Sequence, residues 1–381
     1  MSQQDERIRQ VNVFQRLLTR PELGSIFGLI VILGTFMFLT GPFNEWTGER
    51  NVFLAMFWNP IGVQGWVELA AFVGILAIGA ALLMIAGEFD LSIGANIALS
   101  GHVFALLLLW EGVPLIGGFN IPSAIIITFL FLAGIGAFMG FLVVRTGLPS
   151  FIVTLGFWFA SRGLAVFMGQ TFQKQSRLSV KDMVAPTSRN GGEDPTWIDN
   201  VFAFSDGFFT LENIQGLQWL GNLKFDAEVY YFLILIFVFS FILLRTQYGN
   251  WIFASGGDPI AARAVGVPVA RVKVSLFVLS TCLACLLGVL TVLTSGASDP
   301  KAGDFRELHA IAAAVIGGCL LTGGYGSVIG AVLGAFIFAI ASQGINFVPK
   351  IDNNLFRVIL GTLILSAALL NQLLRNRIVK G

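Results

Sequence analysis

Long apolar runs separated by short polar breaks dominate the chain. Runs suited to crossing a bilayer fall at 23–40, 65–86, 91–110, 121–144, 151–169, 228–244, 272–294, 309–322, 327–345 and 355–374. A spanning helix needs about 20 mostly apolar residues, so the pattern predicts about ten transmembrane helices and an all-α, polytopic membrane fold over 23–381. The eighth run is short and interrupted by Gly317, Gly318, Gly323 and Gly324. Irregular backbone survives at membrane depth only where protein or water satisfies it, so this stretch is expected to line an internal cavity. Residues 1–22 read as a cytoplasmic amphipathic segment. Ile8, Val11, Phe14, Leu17 and Leu18 recur at helical spacing among Arg7, Arg9 and Arg16, which suits a helix lying on a membrane surface or one packed on a neighbour. Asp5, Glu6 and the lack of a short apolar core argue against a signal peptide there.

Composition agrees, with 56% hydrophobic and 12% charged residues, against roughly 25% charged in soluble domains. Lys plus Arg (23) balances Asp plus Glu (22), which leaves no basic field for nucleic acid. The positions of the basic residues carry more information than their sum. Arg7, Arg9, Arg16, Arg20, Arg145, Arg245, Arg263, Arg271, Lys273, Arg375, Arg377 and Lys380 fall on one side of the predicted topology, whereas its short opposite loops hold Arg50, Lys301, Arg306 and Lys350. The excess marks the cytoplasmic side and predicts cytoplasmic N- and C-termini. A long outer loop at 170–227 is then expected to cap the outer face, and 245–271 forms a cytoplasmic loop. Cys282, Cys285 and Cys319 lie within apolar runs without a second ligand pair, so packing is expected of them and no metal.

Within 245–271, Asp258 is a natural N-cap, Pro259 suits the first helical position, Ala261 and Ala262 favour helix, and Gly266 before Pro268 ends it. The result is a short helix with Arg263 on it and small outward residues, suited either to a groove in another protein or to an ordinary capped connection. A second feature is an internal echo: the segment from Gly87 to Ala95 shares four identities in nine with that from Gly323 to Ala331. Small-residue steps, Gly136 with Gly140 and Gly326 with Gly330 and Gly334, permit close helix contact.

Taken in order, these segments resemble the permeases of bacterial sugar-importing ATP-binding cassette transporters of the ribose, xylose and galactose type. Gly87-Glu-Phe-Asp90-Leu91-Ser92-Ile93-Gly94 is similar to that family's Gly-Gly-x-Asp-Leu-Ser-x-Gly signature, with Glu88 at the second glycine. Pro149-Ser150-Phe151-Ile152-Val153-Thr154-Leu155-Gly156, with Arg162-Gly163 after it, matches its Pro-x-Phe-Ile-x-Thr-Leu-Gly segment. Gly257-Asp258, Ala261-Ala262-Arg263 and Gly266 look like its coupling loop, and Glu307-Leu-His-Ala-Ile-Ala-Ala, Gly317-Gly318 and Gly323-Gly-Tyr-Gly-Ser327 follow. The resemblance covers about 65–374; the long outer loop and Glu88 depart from it.

It implies an inner-membrane importer subunit working with a cytoplasmic ATP-binding cassette ATPase, a periplasmic sugar-binding protein and a second permease subunit. No cofactor is implied in this chain, since ATP and Mg would be bound by the ATPase. The residues agree on one point, because no Gly-x-x-x-x-Gly-Lys-Ser/Thr loop is present. Such a chain makes no covalent change and is not an enzyme. The rival is an ion-coupled secondary carrier for a small polar solute. That mechanism wants ionisable groups within the spans, and Glu68, Glu88, Asp90, His102, Arg162 and Arg357 are the candidates, most of them near predicted helix ends. A sugar route needs groups that bind hydroxyls. Asp90, Ser92, Asn96, Ser100, Phe151, Thr154, Gln343 and Asn346 are the candidate pathway residues, with interhelical hydrogen bonding as the alternative use of each polar one.

Overall fold

The computed structural model describes residues 60–110, 119–184 and 225–345, with a few positions in 26–36 and 358–365. The segment 1–22, most of the first and tenth predicted spans, the outer loop beyond 184 and Asn346 lie outside the described residues. In chain order the elements are α1 (Pro60–Ile85), α2 (Ile93–Leu108), α3 (Ile121–Thr146), α4 (Ser150–Gln173), β1 (Leu178–Ser179), α5 (Lys181–Val184), α6 (Ala227–Arg245), α7 (Gln247–Gly257), α8 (Pro259–Ala264), α9 (Val269–Ser295), β2 (Ala297–Ser298), α10 (Arg306–Ile316) and α11 (Val328–Gly344). The protein is predominantly helical, and five helices, α1, α3, α4, α6 and α9, are long and apolar enough to span a bilayer. The shorter α2 and α11 are apolar as well.

The helices start and stop where their sequence permits. Asn120 caps α3 by accepting from the Ser123 amide (3.1 Å), and Gly147 at φ +70° ends it. Ser327 caps α11 through the Gly330 amide (2.9 Å). Burial then separates two kinds of helix. In the most apolar windows of α1 and α9, 83% and 72% of residues are inside the protein, against 33%, 17% and 22% for α3, α4 and α6. The first two are the core; the other three each present an apolar face outward. Lipid is as apolar as these side chains, so close packing rather than exclusion of water must hold the core helices together. Glycine provides it: a Cβ on Gly136 or Gly140 of α3 would overlap α9 around Phe277 and Val274, and one on Gly288 of α9 would overlap Ser100 of α2. Gly330 and Gly334 fit α11 against Gly317 and Ala313 in the same manner, so these glycines serve contacts within the subunit.

The broken eighth run behaves as its glycines suggest. Helix α10 stops at Gly317, and Gly318, Gly323, Gly324 and Gly326 all hold positive φ before α11 begins. One addition to the all-α expectation is a two-residue antiparallel ribbon, with Leu178 opposite Ser298 and Ser179 opposite Ala297. It ties the start of the outer loop to the end of α9, and His102 on α2 contacts both sides, Ser176 O at 2.9 Å and Ser298 Oγ at 2.7 Å.

Candidate functional site

Loop 86–92, between α1 and α2, is the centre of the buried polar structure. Asp90 Oδ1 accepts from the Ser92 amide (2.8 Å) and hydroxyl (2.6 Å), and its Oδ2 accepts from Ser280 Oγ on α9 (2.6 Å). Ser92 Oγ in turn accepts from Asn96 Nδ2 (2.9 Å), whose Oδ1 accepts from Ser161 Oγ on α4 (2.9 Å). The result is one continuous chain, Ser161 to Asn96 to Ser92 to Asp90 to Ser280, joining α4, α2 and α9. All five side chains are buried. A polar chain in a dry interior is stabilising only when each member finds a partner, and here each does.

The same loop is fastened to the first turns of α4. The Phe89 amide donates to Ser150 Oγ (2.9 Å) and the Leu91 amide to Thr154 Oγ1 (3.0 Å). The two signature segments that resembled the permease family are thus in direct contact, and Ser150 and Thr154 are the residues that join them. Of the remaining pathway candidates, Ser100 is buried and donates to Ile97 O (2.9 Å). Phe151 lies on the open face of α4, half exposed, and Gln343 is part-buried on α11 beside Gly65 of α1. Asp90, Ser92, Asn96 and Thr154 are therefore brought together around the loop, whereas the Phe151 ring faces outward and Ser100 and Gln343 make none of these bonds.

Between α7 and α9 in the chain lies the short helix α8. Asp258 caps it, accepting from the amides of Ile260 (2.9 Å) and Ala261 (3.0 Å), with Pro259 in the first turn and Gly266 at φ +88° beyond its end. Ala262 is packed inward, while Ile260, Ala261, Arg263 and Val265 are exposed. The outward surface is thus more apolar and larger than the small-residue face the sequence suggested, because Ile260 and Val265 point out at 77% and 81% exposure. Arg263 Nε donates back to Pro259 O (2.9 Å).

Both neighbours of α8 are attached to loop 86–92. On one side, α7 brings Gly256 so close to α1 that a Cβ would overlap the Ile85 carbonyl. That carbonyl accepts from the Gly324 amide (2.8 Å), and Gly323 sits against Gly87 and Gly256. The two echoing segments, around Gly87 and Gly323, meet there. On the other side, Lys273 in the first turns of α9 pairs with Glu88, and both side chains are largely buried. Spacing alone showed neither attachment. The run Ser255-Gly256-Gly257 and the unusual Glu88 were the signals available.

A further charged group lies deep in the bundle. Arg162, one of the ionisable candidates, falls midway along the 24-residue α4. It holds the segment after β2 through Pro300 O, Ala302 O and Asp304. Among the described residues no group of His, Cys, Asp and Glu is arranged to hold a metal.

Core helices with a satisfied polar chain at their centre, and a capped, exposed helix fixed to that chain from both sides, define a multi-pass membrane transport subunit. Residues 62–368 match the family described as the branched-chain amino acid transport system / permease component, and the chain belongs to it. It is a transport permease and not an enzyme. Its relatives include the xylose transport system permease protein XylH of Escherichia coli K12, 31% identical over 322 residues, covering 74% of this chain and 78% of the relative. The fructose import permease protein FrcC of Rhizobium meliloti is 29% identical over 314 residues (81% and 77%). The probable ABC transporter permease protein YphD of E. coli K12 is 32% identical over 310 residues (81% and 80%). No solved structure matches the chain.

Proposed function

We propose that this chain is the permease subunit of an ATP-binding cassette importer, moving a monosaccharide or related polyol inward across the inner membrane by alternating access. A separate cytoplasmic ATPase binds ATP and Mg and supplies the energy, a periplasmic binding protein delivers the sugar, and a second copy of this chain completes the membrane part. The sugar class is supported by the xylose and fructose permeases among its relatives. Ten spans with both termini cytoplasmic agree with the distribution of Lys and Arg.

The observation that carries the mechanism is the double attachment of α8. A short, rigid helix with exposed Ile260, Arg263 and Val265 fits a groove in the ATPase, and any displacement of it passes through Gly256 and Lys273 to the one loop that holds Asp90. From Asp90 it reaches α2, α4 and α9 together. In this reading the buried Asp90, Ser92, Asn96, Ser100 and Thr154 set the helices behind the sugar route, and Phe151, with Gln343 and Asn346, borders it. The open face of α4, where Phe151, Phe159 and Phe167 are all exposed, suits contact with the second copy across that route.

Asp258→Ala together with Ala261→Trp removes the cap and enlarges the outward face of α8. The expected outcome in proteoliposomes containing the full complex is that sugar-stimulated ATP hydrolysis falls about tenfold, the effect of about 1.4 kcal/mol, while membrane insertion is unchanged. Unaltered hydrolysis and uptake would remove α8 from the role.

A further inference from the structure

Apolar surface turned toward lipid costs little, because lipid is as apolar as the side chains. The same surface turned toward water is unfavourable, and where it is grouped it marks an interaction site. At the end of the bundle that carries α8, exposed large apolar side chains come from two elements: Ile260 and Val265 on α8, and Leu321 (51%) and Tyr325 (37%) on the turn before α11. The turn is tight. Leu320 N donates to Tyr325 O (3.2 Å) and Gly323 N to Leu320 O (3.2 Å), which leaves Leu321 and Thr322 at its tip. Its inner side is formed by Gly323 and Gly324 at φ +80° and +75°, a conformation that glycine enters without steric cost.

These glycines bring the turn against the attachment of α8. A Cβ on Gly323 would stand 2.9 Å from Gly256 O, and one on Gly324 2.9 Å from Gly257 Cα, so turn and α7 meet backbone to backbone. Gly257 directly precedes Asp258, the cap of α8. Leu321 and Tyr325 on one side, and Ile260 and Val265 on the other, are therefore within a few residues of one seam. Lipid does not reach this place. The Gly324 amide is held by the Ile85 carbonyl (2.8 Å) at the end of α1, which is the most enclosed of the five long helices. At 26 residues α1 is about 39 Å long, more than the roughly 30 Å of a hydrocarbon core, so it is long enough to carry its end to the polar boundary. The turn thus stands over the middle of the bundle with its apolar tip toward water.

We infer that turn 320–325 is a second docking element for the ATPase and forms one two-part surface with α8. Leu321 and Tyr325 extend the apolar centre that Ile260 and Val265 begin, and the exposed Arg263 calls for a carboxylate at the rim of the ATPase groove. A partner that covers both parts holds α8 and the start of α11 at once. Closure of the ATPase then moves the two relative to each other along a seam of bare backbone, where no side chains interlock to resist sliding. It also gains a route into α11 that does not pass through Asp90. The inference rests on the ATP-driven import reading above.

The test uses single variants Ile260→Cys, Leu321→Cys and Tyr325→Cys, all at exposed positions. Each is treated with a membrane-impermeant maleimide in inside-out vesicles carrying the full complex, before and after the ATPase is stripped off. The unsubstituted chain, whose Cys282, Cys285 and Cys319 are buried or part-buried, supplies the blank. All three variants are expected to label in stripped vesicles and to lose that labelling with the ATPase in place. Leu321→Glu, which puts a charge into the covered area, is expected to raise the ATPase concentration needed for reassembly about tenfold. Protection at Ile260→Cys with unchanged labelling at Leu321→Cys and Tyr325→Cys would overturn the second element and leave α8 as a dock by itself. No protection at any of the three would sink the ATPase-docking reading of α8 as well. A Leu321→Cys variant that resists the maleimide even in stripped vesicles would put the tip in lipid and overturn the inference.

Discussion

Asp90 takes three hydrogen bonds and, among the described residues, meets no cation, so its substitutions separate charge from hydrogen bonding. Asp90→Asn keeps one acceptor oxygen and the size of the side chain. Asp90→Leu leaves the Ser280 hydroxyl buried without its acceptor, at about 1–3 kcal/mol, and the Ser92 hydroxyl with only the weak acceptor Met139 Sδ (3.4 Å). Thermal unfolding of the purified protein is expected to show a clearly larger loss for the leucine variant; equal midpoints would mean that Asp90 contributes little beyond volume. At this scale the sequence was informative where chemistry is local. The N-cap role of Asp258 and the helix start at Pro259 follow from adjacent residues, and the structure has both. The partners of Asp90 and Asn96 were out of reach, because Ser280 and Ser161 lie 190 and 65 residues away. For the same reason, the polar character of Asn96 and Ser100 could not say whether they meet another helix or a passage.

Loop 86–92 is the element on which α7, α9, α4 and the turn before α11 converge. Its two attachments to the surroundings of α8 differ in kind, and so do the expected consequences of breaking them. At Gly256 any side chain overlaps backbone, so Gly256→Ala must displace α7 from α1. Uptake is expected to be lost while ATPase binding is retained, measured by co-purification; normal uptake would show that the contact is slack. The Glu88 and Lys273 pair is largely buried. Lys273→Met alone leaves an uncompensated carboxylate and is expected to cost about 3–5 kcal/mol, whereas Lys273→Met with Glu88→Gln recovers most of it. A double variant no more stable than the single one would contradict the pairing. Glycine made the break after α10 legible, since Gly317, Gly318, Gly323 and Gly324 cannot extend a helix cheaply. The convergence of two remote glycine segments on one point was only hinted at by their four shared identities.

For the whole molecule, apolar run length was enough to place most of the membrane helices, and the burial of α1 and α9 against the open faces of α3 and α6 was not readable from it, since these four are comparably apolar, with mean hydropathies of 2.3 to 2.6. That asymmetry organises the transporter: a closed core carries the polar chain, and α4 holds the segment after β2 through Arg162 while presenting Phe151, Phe159 and Phe167 outward. The chain contains no phosphate-binding loop of its own, and its basic residues gather on one side of the predicted topology. In the proposed function, energy enters from a separate ATPase through α8. The most direct measurement of that claim is sugar uptake by proteoliposomes containing this chain with its ATPase and binding protein, driven either by enclosed ATP or by an imposed proton or sodium gradient. Uptake that requires ATP and both partners, and that a gradient cannot replace, is the predicted result. Gradient-driven uptake by this chain alone would contradict it and make the protein an ion-coupled carrier.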